Sequence, residues 1–223
     1  MNSIKQLVFK RFKTLSLLTV AMSLSIVLLM IRMKLTHSYF YLFLVWNLFL
    51  AVVPFAISTY LASVPKLNKY VLFLWFGTWL LFLPNAPYII TDLLHLKISN
   101  TNLLWLDILV INAFALNGLI LFYYSLLEMK TILSPYLSNK TWRLLIFTIP
   151  FISSFGVFLG RFLRYNSWEI LSNPKQLFTD IFYMIIQPLE NKEVWLFTIL
   201  FGSFLSIGFW MFETLINSKT TLK

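Results

Sequence analysis

The amino-acid sequence predicts an all-α polytopic membrane protein: a bundle of about six transmembrane helices, the third broken by proline. Three observations carry this. Hydrophobic residues make up 59% of the 223-residue chain and charged residues only 12%, with mean hydropathy +0.80; soluble domains are about half apolar and about a quarter charged. Apolar runs able to cross ~30 Å of hydrocarbon at about 1.5 Å per residue recur along the chain. Between them one stretch, LFLPNAPYIITDLLHL from Leu81 to Leu96, places Pro84, Asn85, Pro87, Asp92 and His95 where apolar residues are due.

Taken in order, residues 1–14 form a basic segment containing Lys5, Lys10, Arg11 and Lys13. The first span, 15–31, follows it. A secretory signal begins the same way, but this run ends in MIRMKL with no small-x-small cleavage site, so it reads as an uncleaved anchor. The second span covers 39–64. From Tyr70 to Leu83 the next apolar run would reach only about 21 Å as a helix. The third span is therefore 70–96, with PNAPYIITDLLH either inside the crossing or finishing it. The fourth, 103–127, carries a single charged residue, Asp107. The fifth, 144–160, and sixth, 194–212, carry none. Together 15–212 reads as a single transmembrane domain, with 213–223 as a tail. Between the last two spans, Leu177, Phe178, Ile181, Phe182, Ile185 and Ile186 recur at helical spacing. They predict an interfacial amphipathic helix at about 176–187, ended by Pro188.

Six crossings put both chain ends on one side. Lys and Arg number eleven on that side and seven on the other, which places both termini in the cytoplasm. The chain has no cysteine, so a single engineered thiol reports cleanly. One at Ser99 is expected to meet an impermeant reagent outside intact cells, and one at Ser138 to escape it.

Several function classes drop out. The net charge of +10 lies mostly between apolar runs, where it meets anionic headgroups. No basic stretch is interleaved with exposed aromatics, so nucleic acid is not a partner. The absence of cysteine excludes disulfides, thiol catalysis and cysteine metal sites. The sequence lacks a Gly-rich phosphate loop, HExxH and GxSxG. Asp92 and His95, with Asp107 or Glu169, make only a weak metal set, and neither metal nor cofactor is assigned.

Two motifs and one lone carboxylate remain. Pro84 and Pro87 break the third helix near its outer end, because proline has no N–H to donate and crowds the preceding turn. Freed backbone groups need partners in lipid, and Asn85 can supply them. Pro87 suits the start of a new helix, on which Tyr88, Asp92 and His95 would fall at i, i+4 and i+7, on one face. The second motif is GRFLRYNSWEIL, Gly160 to Leu171. Its Arg161 and Arg164 suit a phosphate or carboxylate, or simply snorkel to lipid phosphates. Asn166 and Glu169 match a helix-capping pair. Asp107 would cost roughly 2.5–3.5 kcal/mol unpaired at mid-membrane, a cost that pairing with Arg161 or Arg164 would relieve. Asn112 and Asn117 read as packing contacts between helices.

The loop after the third crossing, the start of the fourth and the loop after the fifth fall on one side. Asp92, His95, Asp107, Arg161, Arg164 and Glu169 can therefore share a site. LPNAPYIITDLLHL and GRFLRYNSWEIL together resemble the bacterial membrane-protein family known as domain of unknown function 1361. The resemblance runs from about the second crossing to the last, with Glu169 where the family is expected to carry aspartate. It implies a multi-pass bacterial membrane protein with no assigned activity. The reading is then an integral membrane protein with an outer-face site for an anionic headgroup or lipid-linked substrate. Arg161 and Arg164 would hold the anion, Asn85 would brace the break, Tyr88, Asp107 and Glu169 would complete the ligand site, and Asp92 with His95 would handle protons or a metal. The alternatives are a non-catalytic scaffold or subunit bound to other proteins, and a small permease.

Overall fold

The computed structural model describes residue 9 and residues 11–64, 67–98 and 103–221; Lys5, Lys10, Lys66, Ser99 and the last two residues lie outside them. The described residues contain helices and no strand. Among the described residues, six helices are long and apolar enough to cross a membrane: Phe12–Thr36, Phe40–Ser63, Lys69–Lys97, Leu104–Leu133, Lys140–Phe162 and Lys192–Ser218. The chain divides into two compact units, Met1–Ile132 and Leu133–Lys223.

In the first unit α1 (Phe12–Thr36) buries Leu18, Ser25, Leu29 and Arg32, one stripe at helical spacing. His37, at φ 51°, ends it in the left-handed region. One 3-10 turn (Phe40–Leu42) leads into α2 (Phe43–Ser63). Asn68 caps α3 (Lys69–Phe82), its side chain accepting the Tyr70 N–H at 3.0 Å. Then come α4 (Asn85–Tyr88), a 3-10 helix (Ile89–Ile98) and α5 (Leu104–Leu133). Half of α5's most apolar window is buried, against a third or less for the other crossings. That is why α5 can carry Asp107, Asn117, Ser125 and Glu128, all buried: polar groups at lipid depth need protein partners. Asn117 Nδ2 donates to Ser25 Oγ of α1 at 2.8 Å. Asn112, expected to bond between helices, is exposed and instead donates to the Ile108 carbonyl of its own helix at 2.9 Å.

The backbone at the break can be accounted for group by group. Leu83 N–H donates to the Trp79 carbonyl, Ala86 N–H to Leu83 and Tyr88 N–H to Pro84. Asn85 Nδ2 donates to the Phe82 carbonyl at 3.0 Å, covering an acceptor that the proline pair leaves outside the regular ladder. The segment lies against the middle of α5. A Cβ built on Gly118 would stand 2.2 Å from the Ala86 carbonyl oxygen and 3.3 Å from Ile89 Cδ1. Only glycine admits this backbone approach. The chain then continues to Ile98 as a 3-10 helix, so the motif completes the crossing.

The second unit comprises α6 (Asn139–Phe162), α7 (Glu169–Ser172), α8 (Pro174–Ile186) and α9 (Lys192–Thr221). Ser138 caps α6 by accepting the Thr141 N–H at 3.2 Å. α6 and α9 pack antiparallel: Phe151 lies against Gly202, and further along Phe158 lies against Phe197. On α8 Leu177 and Met184 turn inward, Met184 packing with Phe158 and Val194. Phe178, Phe182, Ile185 and Ile186 stay exposed, an apolar stripe that suits a bilayer.

Candidate functional site

Asp92, His95 and Asp107 of the first unit gather at the end where α1 stops and α5 starts. Arg32 Nε donates to Asp107 Oδ1 at 2.8 Å and Nη2 to Oδ2 at 3.5 Å, a two-pronged pair. Nη1 donates to the Ser38 carbonyl at 3.2 Å, and the guanidinium carbon lies 4.5 Å from the centre of the Tyr41 ring. Arg32 is 6% exposed and Asp107 1%. Arg32, counted from sequence only as a flanking charge, thus takes the partner role expected of Arg161 or Arg164. It lies three residues after Leu29 on α1's buried stripe, so its side chain enters the bundle.

Tyr41 joins this pair to a second one. Its hydroxyl donates to the His95 carbonyl at 3.4 Å. Asp92, fully buried, accepts from Asn47 Nδ2 of α2 at 2.9 Å. His95 Nδ1 lies 3.7 Å from Asp92 Oδ1 and 3.1 Å from the Asp92 carbonyl. The imidazole packs on Phe43 and Phe40, with ring centres 4.8 and 5.9 Å away, and remains partly exposed. In the tautomer that donates from Nδ1 to the carbonyl, Nε2 keeps its lone pair, as a general base requires. The three-residue repeat of the 3-10 helix brings Asp92 and His95 into line and rotates Tyr88 off their edge. The one-face arrangement of all three assumed the α-helical period.

Arg161, Arg164 and Glu169 belong to the second unit. Arg161 occupies the last turn of α6, and Arg164 follows it, exposed, at φ 62°. Asn166 donates to Glu169 Oε1 from both its N–H and Nδ2, each at 3.0 Å. The Glu169 carboxylate thus reaches back to Asn166, but the Glu169 N–H donates to the Asn166 backbone carbonyl and α7 begins with no side-chain cap, so the expected capping pair ties a turn ahead of the helix instead. Next to it Tyr165 donates to Asp180 Oδ2 at 2.6 Å. This hydrogen bond, then desolvation and the charges of Asp180 and Glu169, push the Tyr165 phenol up to about 12. The neutral phenol holds the clasp. Its contribution is therefore complete below an ordinary tyrosine value of about 10 and fades as pH rises through about 12. Difference absorbance between wild type and Tyr165→Phe should show one tyrosinate forming near that upper value; ionisation near the ordinary value would mean that no clasp exists.

α6 and α9 also frame a groove of about 500 Å³ lined by Phe158, Phe162, Phe197, Phe201, Phe204, two leucines and Glu193. Phe162, Leu196, Leu200 and Phe204 are exposed along it. Nothing in the sequence marks this groove, because aromatic residues are generic in membrane spans.

Among the described residues, no group of three His, Asp or Glu gathers that could hold a metal ion. No curated protein and no solved structure matches the chain. A family model covers residues 46–207, from within α2 to within α9 and through both motifs. The chain belongs to the family described as protein of unknown function DUF1361.

Proposed function

We propose that this chain is a bacterial cell-membrane protein that binds an anionic lipid headgroup or lipid-linked intermediate. Both termini lie in the cytoplasm, following the lysine and arginine bias. The supporting observation is the Phe-lined groove of the second unit, whose lining includes Phe162 and Glu193, the sequence neighbours of Arg161 and Lys192. Hydrocarbon gains little by leaving bilayer for groove, since lipid tails are as apolar as leucine. The groove selects a chain by shape, and the charged head supplies the affinity. Arg161 and Arg164 present the guanidinium forks that suit a phosphate. Glu169 ties the turn that follows Arg164, accepting from Asn166.

In the first unit Asp92 and His95 form the proton-handling couple of this reading. Asp92, held by Asn47, would orient the imidazole, and His95 Nε2 would accept a proton from a water. Asp107 fixes Arg32 and through it the Tyr41 ring beneath the His95 backbone. Asn85 and Tyr88 hold the break from which the 3-10 helix starts.

Native mass spectra of gently purified wild type and Arg161→Ala test the reading. A bound mass present in wild type and lost from an equally stable variant is the expected result. Equal bare spectra after purification in a lipid-retaining detergent would contradict it and favour a scaffold.

A further inference from the structure

A second polar cluster occupies the opposite end of the first unit, where α1 starts and α5 finishes. Trp79 Nε1 donates to Ser125 Oγ at 2.7 Å, Ser125 Oγ to Ser58 Oγ at 3.3 Å, and Ser58 Oγ to Glu128 Oε2 at 2.6 Å. Thr59 Oγ1 donates to the same carboxylate oxygen at 2.9 Å. An indole N–H can only donate. The hydrogen bonds run on from Ser125 to Ser58 and from Ser58 to Glu128, whose carboxylate accepts at the end of the chain. Trp79, Ser58 and Ser125 are fully buried, and Glu128 is nearly so.

An anion so placed needs a positive charge. Arg11 supplies it, Nη1 pairing with Glu128 Oε1. Arg11 differs from the rest of the cluster. It precedes α1 near the chain start, and its side chain is 34% exposed against 5% for Glu128. The cation is thus partly exposed beside the buried Glu128, Ser58 and Ser125. Ser58 Oγ also lies 3.0 Å from the Phe55 carbonyl. Its proton can turn there and free a lone pair toward the cluster.

We infer that Glu128, Ser58 and Thr59 form a site for a small monovalent cation, and that Arg11 is a tethered guanidinium occupying it. Carboxylate and hydroxyl oxygens are the ligands a hard cation prefers. When Arg11 leaves the carboxylate, Glu128 neutralises by binding a metal cation such as sodium or, in its absence, a proton. This site is independent of the lipid reading, since it involves neither the groove nor Asp92 and His95.

A hydrophobic carbodiimide, which adds to protonated carboxyl groups in apolar surroundings, tests it. Wild type and Arg11→Lys, each with a cation in place, should resist labelling at Glu128 in sodium-free buffer. Arg11→Ala should label there several-fold more, and sodium chloride should return the label to the wild-type level where choline chloride does not. Glu128→Gln sets the background, and the melting temperature of Arg11→Ala excludes unfolding as the cause. Labelling that sodium does not suppress would make Glu128 a proton site only and overturn the inference. Equal labelling of wild type and Arg11→Ala would overturn it as well.

Discussion

Arg32→Met is expected to destabilise the first unit by about 3–5 kcal/mol, the usual cost of removing one partner from a buried ion pair. Asp107 would stay 1% exposed and lose the guanidinium that holds both its carboxylate oxygens. Asp107→Leu strands the guanidinium in the same way. The double variant Arg32→Met/Asp107→Leu should recover most of the loss, because an apolar pair of similar volume often matches a buried ion pair. Denaturant titration of all four proteins in one detergent measures the coupling. If the two single effects simply add, the pair contributes nothing as a pair and the first unit is held by other contacts.

The second large effect concerns the contact between the helix break and α5. In a helix interior Gly→Ala ordinarily gains about 1 kcal/mol. At Gly118 the sign should reverse, since the new Cβ meets the Ala86 carbonyl oxygen at 2.2 Å. Overpacking of this kind costs typically 1–3 kcal/mol, and backbone cannot swing aside as a long side chain would. Gly118→Val should be worse still. Gly77, on α3, has nothing within 4 Å of an added Cβ, so Gly77→Ala should be neutral or stabilising. Melting temperatures of the two alanine variants decide the matter; equal shifts would show that the break does not rest on Gly118.

The helix count was legible because apolar runs of span length state themselves. The end of α5 was less so. An apolar window stops at Leu127, but the helix runs on to Leu133 and takes Glu128 into the bundle. A window that excludes charge cannot include a carboxylate whose partners, Ser58 and Thr59, are some seventy positions away. Arg32 shows the same limit. In MIRMKL it looks like Lys34, a charge at a helix end, and only its register with Leu18, Ser25 and Leu29 marks it as inward. Asp92 and His95 were legible as ionisable groups beside proline, where lipid tolerates none without a reason. Asn47 was hidden, because a lone asparagine in an apolar run does not name its acceptor. Tyr88 was placed by the α-helical period, which a 3-10 helix does not follow.

The central claim is an anionic head on Arg161 and Arg164 with an apolar chain in the groove of the second unit. The most direct measurement is lipid exchange read by native mass spectrometry. Delipidated wild-type protein would be offered phosphatidylglycerol and diacylglycerol with identical chains in equal amounts. Retention of the charged lipid alone, abolished in Arg161→Ala, is the predicted result. Equal retention of both lipids, or retention that the variant leaves unchanged, would contradict the account.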